Sequence, residues 1–303
     1  MAEGTVSLTE ERAAAAGPVL VRWTAPDALS NLVSVLELTA DGRLRCGAGT
    51  RRPSAATVKL VEDVLVAGDF YDTGEPIAAF AWPLLIQAGG LARLAGTSLE
   101  LTPRGEAVLA RPSYQALGAL WDRWLKSVSQ DELSRIEAIR GQRKTATLTA
   151  PAGRRAAVAA GLAVLGPGAW IEVDALFPIL QARPAPLAVA RSTLARWGLY
   201  LVDPCRGSLG PAGWQAWNVL EGRYALCVLF EYAATMGVVD VAYTDPRGAR
   251  EDYRGLWGAG GYDCLSRYDG LAAVRVNELG AAILHDPGAL AALGLPRPRR
   301  DLP

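Results

Sequence analysis

The sequence predicts a mainly α protein with small β wings, an α+β chain of tandem winged-helix domains. Three similar stretches support this prediction, because each places a glycine four residues after the last apolar residue of a strand and continues with helical spacing. The three pairs are Leu101 and Gly105, Leu209 and Gly213, and Val276 and Gly280. A second glycine precedes each strand region, at Gly90, Gly198 and Gly237. Helix, glycine, strand, turn, strand and helix is the order of the closing half of a winged helix.

The first winged helix is predicted at residues 26–110, after a lead-in at residues 1–25 that contains a short capped helix. Apolar residues from Leu29 to Leu36 recur at helical spacing, and Thr24 stands at the N-cap position. The other elements expected in this unit are a strand at 43–46, a helix capped by Ser54, a helix at 77–88, and strands at 91–94 and 99–101. This order is that of a complete winged helix.

Residues 111–150 are predicted to be a helical connector that ends in a basic linker. An aromatic helical face runs from Tyr114 to Trp124, and a second helix is expected over residues 131–140. The second winged helix is predicted at residues 151–213. Its expected elements are a helix at 154–165, a strand at 170–173, a helix from 174, a helix at 187–197, and two strands around Cys205.

A third winged-helix-like unit is predicted at residues 214–294, followed by a flexible tail at 295–303. Its expected elements are helices at 214–221 and 224–236 and strands at 238–243 and 272–276. The two strands are separated by a long insertion at residues 244–270. Loops longer than about 12 to 15 residues are usually functional or disordered, so this insertion needs an explanation.

Four aromatic residues of the insertion form a candidate protein interface. They are Tyr253, Trp257, Tyr262 and Tyr268. Aromatic side chains interleaved with arginines are typical of protein interfaces. The alternative is that the aromatic residues fold the insertion back onto its own domain.

The composition indicates a globular chain with room for two or three domains, since 50 % of its 303 residues are hydrophobic. Lysine plus arginine and aspartate plus glutamate both total 31, so the chain has no overall basic excess. Residues 111–205 are the basic third, with 12 bases and 7 acids. No run reaches the roughly 18 apolar residues that span a membrane. The N-terminus also lacks the pattern of a secretory signal, so we expect a cytoplasmic protein.

No residue pattern indicates an enzyme, a metal site or a cofactor. The four cysteines form no CxxC pair, and His285 is the only histidine, which argues against structural zinc and a disulfide framework. The segment 47–52 is glycine-rich but lacks the lysine and the spacing of a phosphate loop. The acid pair Glu251 and Asp252 is interpreted as solvated, because no further carboxylate cluster accompanies it.

Nucleic-acid binding is the function that a winged helix suggests, and it requires polar or basic side chains on the recognition helix. Two of the three candidate helices lack them. The helix at 77–88 offers only Gln87 and the indole N–H of Trp82, and the helix at 224–236 offers Glu231, which would repel phosphate.

The helix predicted at 187–197 is different, because Ser192 and Arg196 lie opposite its apolar face and Arg191 flanks them. The second winged helix is therefore the predicted DNA-binding unit. Its candidate DNA-binding residues are Arg191, Ser192, Arg196, Arg183, Arg206, Arg154 and Arg155. The alternative is that these arginines only solvate a helix.

Several strings of the sequence resemble a group of bacterial helicase-associated proteins of unassigned role, which are similar in part to the N-terminal region of XPB-type DNA helicases. The strings are Arg51 to Val58, Asp69 to Tyr71, Phe80 to Gly90, Leu101 to Gly105, Ser134 to Gln142, Phe230 to Asp240 and Leu265 to Gly270. The resemblance implies tandem winged helices that work on DNA beside a helicase or nuclease. It supplies no catalytic residues, and this chain contains no helicase motor.

The sequence thus predicts a non-enzymatic DNA-associated adaptor in a DNA-processing, defence or regulatory system, with no cofactor. Its expected partners are DNA, through the second winged helix, and a helicase, nuclease or other protein that is encoded separately. Neither a membrane nor a small-molecule substrate is expected. Two alternatives stay open: a protein-interaction scaffold without DNA contact, and a transcriptional regulator that responds to a ligand.

Overall fold

The computed structural model describes residues 17–141, 148–196, 198–203, 207–211, 217–254 and 259–293. The helix predicted before Ala16, most of the linker at 141–147 and the tail at 295–303 lie outside these residues. The chain divides into two compact units. The hairpin unit comprises Trp23–Ser129, Tyr232–Val239 and Asn277–Pro303, and the sheet unit comprises Met1–Arg22, Gln130–Glu231 and Asp240–Val276. Helices mix with small antiparallel strands, which confirms the predicted α+β class.

The helices are α1 (Ala25–Ala40), α2 (Ala55–Glu62), α3 (Ala78–Ala88), α4 (Pro103–Ala110), α5 (Tyr114–Lys126), α6 (Pro151–Leu162), α7 (Val173–Gln181), α8 (Thr193–Arg196), α9 (Arg223–Cys227) and α10 (Glu278–His285). The strands are β1 (Leu20–Arg22), β2 (Ala92–Ala95), β3 (Ser98–Leu101), β4 (Ile139–Arg140), β5 (Trp170–Glu172), β6 (Tyr200–Asp203), β7 (Gly207–Pro211), β8 (Val239–Tyr243) and β9 (Leu271–Val276). π-helical turns at Asn218–Gly222 and Val228–Ala233 extend α9 at both ends, so the backbone is helical over residues 217–233.

The central helix of the hairpin unit is α3, in which eight of eleven residues are buried. Helices α1, α2 and α5 pack against it. Its N-terminus is capped from outside the helix, because the Asp69 carboxylate accepts hydrogen bonds from the backbone N–H groups of Ile77, Ala78 and Ala79 at 2.8 to 3.1 Å. This single side chain fixes where the buried helix begins.

The N-cap predictions for the first two helices have different outcomes. Ser54 caps α2 as expected, since its hydroxyl accepts from the N–H of Thr57 at 3.2 Å. Thr24 stands at the N-cap of α1 but makes no capping bond, and its hydroxyl donates to the backbone carbonyl of Val239 at 2.7 Å. The strand expected at 43–46 is reduced to two single bridges, from Arg45 and from Cys46.

The same element order occurs twice along the chain. Residues 25–110 run helix, bridge, helix, helix, strand, strand, helix, and residues 151–285 repeat this order with one segment inserted after α7 and another between β8 and β9. In both copies the extended segment after the first helix pairs antiparallel with the last strand. Arg45 bridges Ser98 in the first copy, and Trp170 of β5 lies opposite Arg275 of β9 in the second.

Two of the three glycines that define the sequence repeat make the same close approach. A Cβ atom on Gly105 would lie 2.1 Å from the carbonyl oxygen of Leu91, and one on Gly280 would lie 1.9 Å from that of Val238. A larger residue at either position would therefore push the following helix, α4 or α10, away from the backbone that leads into the first strand of the pair, β2 or β8. The third glycine, Gly213, lies outside the described residues.

The sheet unit contains two sheets, one of order β1, β8, β9, β5 and one of order β4, β6, β7. The first sheet crosses the boundary that was predicted between the second and third winged helices at residues 213 and 214. β5 and the hairpin of β6 and β7 were predicted to belong to one unit, but β5 pairs with β9, and the hairpin pairs with β4. Local patterns predict strands well but carry no information about partners this distant in sequence.

Two predicted helices are replaced by other structure. Residues 131–140 form one 3₁₀ turn at Glu132–Arg135 and then β4, because buried partners hold both ends of the turn. Residues 187–192 are not helical, because Ala190 bridges Leu148 and the carbonyl of Val189 accepts from the N–H of Thr149 at 2.9 Å. These extended backbone contacts outweigh the helical spacing of the apolar residues.

Candidate nucleic-acid interface

Two of the arginines predicted to bind DNA lie in the interior of the sheet unit. Arg154 and Arg155 on α6 are 1 % and 0 % exposed. They pair with Asp131 at 2.5 Å and with Glu132 at 2.6 Å. A buried guanidinium with a carboxylate partner cannot reach a phosphate, so the structure corrects the prediction for these two residues.

Two more of the predicted arginines are tied to the sheet unit's own polar groups. Arg196 donates through Nη1 to Glu221 at 3.0 Å, and Arg191 donates through Nε to the carbonyl of Leu148 at 2.5 Å. Burial raises the pKa of Glu221 above its ordinary value, and Arg196 opposes this shift. Both arginines therefore stabilise the segment around residues 187–196, although the Arg191 side chain stays exposed.

The remaining predicted residues surround a single helical turn. Ser192 is exposed, and its hydroxyl accepts from the N–H of Ala195 at 3.1 Å, which starts the four-residue helix α8. Arg183 is half-buried in the segment after α7, and Arg206 lies outside the described residues. A helix of four residues is too short to lie along a major groove, so the described part of residues 187–197 does not form the predicted recognition helix.

The aromatic residues of the insertion are mostly buried. Tyr253 and Tyr268 are 0 % exposed, Tyr262 is half-buried, and Trp257 lies outside the described residues. The Tyr253 hydroxyl donates to the carbonyl of Tyr262 at 3.0 Å, and the Tyr268 hydroxyl donates to the Glu231 carboxylate. Burial raises the pKa of Tyr268 well above its ordinary value, so this phenol keeps its proton. The alternative of an insertion folded onto its own unit fits these contacts, and the interface prediction is wrong for Tyr253 and Tyr268.

The helical stretch at 217–233 carries buried charges that hold the insertion. Arg223 is fully buried and donates to Asp252 at 2.7 Å, and Arg250 donates to the same carboxylate at 3.2 Å. Burial opposes ionisation of Asp252, but the two arginines outweigh it and hold the pKa of this carboxyl below its usual value. Each of these arginines has a carboxylate partner within the sheet unit, so the ion pairs form a structural network.

A group of exposed arginines lies on the hairpin unit, where the sequence analysis placed no site. We name Arg43, Arg45, Arg51 and Arg52 the arginine edge; all four side chains are exposed. Residues 42–61 contain these four arginines, one lysine and no acidic residue. The lysine, Lys59, pairs with two carboxylates that follow it, at Glu62 and Asp63.

Alternation along the chain directs the first two arginines outward. Leu44 and Cys46 are 0 % and 2 % exposed and point into the core, so Arg43 and Arg45 point to the opposite side. Arg45 bridges Ser98 on β3, and its Nη1 donates to the Ser98 hydroxyl at 3.0 Å. The edge therefore lies beside the turn of the hairpin formed by β2 and β3.

The other two arginines lie on a short loop that its own backbone closes. The N–H of Gly47 donates to the carbonyl of Arg52 at 2.9 Å, and the N–H of Arg51 donates to the carbonyl of Gly47 at 2.7 Å. Arg51 has a φ of 59°, a left-handed conformation that is uncommon outside glycine. The side chain of Gln87 on α3 donates to the carbonyl of Arg51 at 3.1 Å and supports this conformation.

A local charge count could have revealed the arginine edge from the sequence. Residues 1–110 together hold 9 bases and 13 acids, so a count over this whole range hides the positive charge of the 20 residues at 42–61. The strand at 43–46 was already expected. Combining it with a charge count over residues 42–61 would have drawn attention to the four arginines.

The arginine edge offers cations for binding but no activated nucleophile. Burial raises the pKa of the nearby Cys46 thiol to about 11, so it stays protonated.

Among the described residues, no group of three or more His, Cys, Asp and Glu side chains could hold a metal ion. No helix in the described part of the chain is long and apolar enough to cross a membrane. Comparisons with protein-family models, curated proteins and solved structures found no match.

Proposed function

We propose that this chain is a non-enzymatic DNA-associated adaptor that contacts DNA through the arginine edge of the hairpin unit. The observation that carries the proposal is the exposure of four arginines in a window without an acidic residue, beside a β-hairpin. Contacts between arginine and phosphate supply most of the affinity of non-specific DNA binding. A DNA-processing, defence or regulatory system is the setting that we propose for the adaptor.

The element order of residues 25–110 supports a winged-helix interpretation of the hairpin unit. The bridge from Arg45 to Ser98 puts the extended segment next to β3, and β3 pairs with β2. In this interpretation the hairpin of β2 and β3 is the wing, and the arginine edge flanks it. The repeat of the same order over residues 151–285 supports one winged helix with two insertions in place of the two units predicted at 151–213 and 214–294.

A DNA-binding titration tests the proposal. Fluorescence anisotropy of a labelled duplex should show binding by the wild type that weakens steeply with salt. The double variant Arg43→Glu/Arg51→Glu should weaken binding by at least about tenfold at low salt, because it reverses two phosphate contacts. The matched control is Arg247→Glu/Arg254→Glu, which makes the same change of charge at two exposed arginines of the insertion. If both double variants bind equally, the arginine edge is not the DNA-binding surface.

A protein-interaction scaffold is the second candidate function, because part of the basic surface predicted to face DNA is neutralised within the sheet unit. Arg154, Arg155 and Arg196, which were expected to face DNA, pair with carboxylates of the sheet unit. If the wild type binds no duplex at low salt, the scaffold replaces the DNA-associated adaptor. Circular dichroism of each variant is the control for folding in these titrations.

A further inference from the structure

This inference rests on the proposed function and narrows its ligand. We infer that the arginine edge binds the phosphate backbone of duplex DNA and does not read base sequence. The inference depends on two features of the hairpin unit: α3 presents no free polar side chain, and the segment at 42–61 contains arginines but no aromatic residue.

Helix α3 holds the place in the chain that a recognition helix holds in a winged helix, directly before the hairpin. Base edges in the major groove are read by hydrogen-bond donors and acceptors. Eight of the eleven residues of α3 are buried, and the other three are Phe80, Gln87 and Ala88. Neither a phenyl ring nor a methyl group forms such a bond, so base reading by α3 would depend on Gln87.

The amide of Gln87 is already engaged within the unit. Its Nε2 donates to the carbonyl of Pro83 at 2.9 Å and to the carbonyl of Arg51 at 3.1 Å. Its Oε1 is buried. Gln87 therefore acts as a positioning residue for the arginine loop, and α3 presents no free polar group to a groove.

The segment at 42–61 favours a duplex over a single strand. It contains no aromatic residue, whereas binding of single strands depends on aromatic side chains that stack on the bases. A single bridge joins Arg45 to Ser98 and places the arginine edge beside β3, which pairs with β2 in a two-stranded hairpin. Because α3 presents no free polar side chain to a major groove, the exposed arginines are left to contact phosphates.

The test compares several nucleic acids under one condition. We would titrate the full chain by fluorescence anisotropy with three duplexes of equal length, one A/T-rich, one G/C-rich and one mixed, and with a single strand of the same length. The three duplexes should bind within about threefold of each other, and Arg43→Gln should lower the salt slope for each duplex by about one. The single strand should bind more weakly.

The outcomes separate this inference from the proposed function. A preference of more than about thirtyfold for one duplex would overturn the inference and leave DNA binding intact. Tighter binding of the single strand would do the same. Binding of no nucleic acid would overturn both, and so would tighter binding to vesicles that contain phosphatidylserine than to any duplex.

The variant Gln87→Leu provides a second readout. Loss of its bond to Arg51 should weaken binding to all three duplexes by the same factor, because only the loop is displaced. If the affinity falls for one duplex and not for the others, Gln87 reads bases and the inference is wrong. Thermal melting of the variant shows whether the hairpin unit is folded, and Arg43→Gln tests the inference independently if it is not.

Discussion

Arg135 donates through Nε to both carboxylate oxygens of Glu231, 96 residues later, at 3.0 Å, and through Nη2 to one of them at 2.9 Å. Glu231 is 0 % exposed and Arg135 is 6 % exposed, so both charges are removed from water. The hydroxyl of Tyr268 donates to the same carboxylate. This pair fixes the turn at Glu132–Arg135 against the long helical stretch within the sheet unit.

Loss of one partner of this pair should be costly. We expect Arg135→Ala to lower the free energy of unfolding by about 3 to 5 kcal/mol, because the Glu231 carboxylate would stay buried without its cation. Urea denaturation followed by circular dichroism measures the change. The control is Arg247, which belongs to an exposed ion pair. Arg247→Ala should leave the midpoint of urea denaturation unchanged.

A double-mutant cycle separates the pair from the cavity that each substitution leaves. The double variant Arg135→Ala/Glu231→Ala should lose less free energy than the sum of the single variants, by more than about 1 kcal/mol. Additive losses would show that the two side chains contribute independently.

The loop carboxylate that caps α3 is the second test of stability. Asp69→Ala should lower the free energy of unfolding by at least about 2 kcal/mol, because several backbone N–H groups at the start of a buried helix lose their acceptor. Thermal or urea unfolding measures the loss. The control is Asp63→Ala at an exposed carboxylate near the end of α2. Equal effects of the two variants would contradict the capping role.

The two closing glycines should tolerate no side chain. Gly105→Ala and Gly280→Ala should each destabilise by roughly 1 to 3 kcal/mol, since their Cβ atoms would collide with backbone carbonyls. The control is Gly153→Ala within α6, where a Cβ would meet nothing within 4 Å. That variant should not destabilise, because Gly153 lies in the first turn of α6 and alanine is the better helix former. Destabilisation by all three substitutions would show that the close approach is not the cause.

The tryptophan of α3 tests the interior of the hairpin unit. Trp82 is 0 % exposed, and Trp82→Ala should cost about 3 to 5 kcal/mol through the cavity it leaves. The control is Trp23→Ala, at a side chain that is 44 % exposed, which should cost clearly less. An unchanged melting temperature of Trp82→Ala would contradict the burial.

Local pattern predicted the helices that depend on local signals. The apolar spacing between Leu29 and Leu36 belongs to α1, the apolar run before Gly89 belongs to α3, and Ser54 caps α2. The glycine spacing that suggested a repeat corresponds to a real steric requirement at Gly105 and Gly280. These features are encoded within a few residues, so a sequence displays them.

Features that depend on distant partners could not be predicted in this way. Arg155 looks like a surface cation until Glu132 is placed beside it in the interior, 23 residues earlier in the chain. Trp170 begins a strand as expected, but nothing near it in the sequence specifies Arg275 as its partner. The DNA-binding prediction for Arg154 and Arg155 was wrong for this reason, because it depended on which charges were left unpaired.

The position of β9 has a consequence for a chain cut in two. β9 lies between β8 and β5, and both neighbours come from residues before the insertion. A protease that cleaves after Arg247, whose side chain is exposed, would leave two pieces. The C-terminal piece contains β9, and the N-terminal piece contains β8 and β5, the two strands that flank β9. The two pieces would then stay associated as a split protein. Coexpressed fragments that meet at this bond should accordingly reassemble without a covalent link.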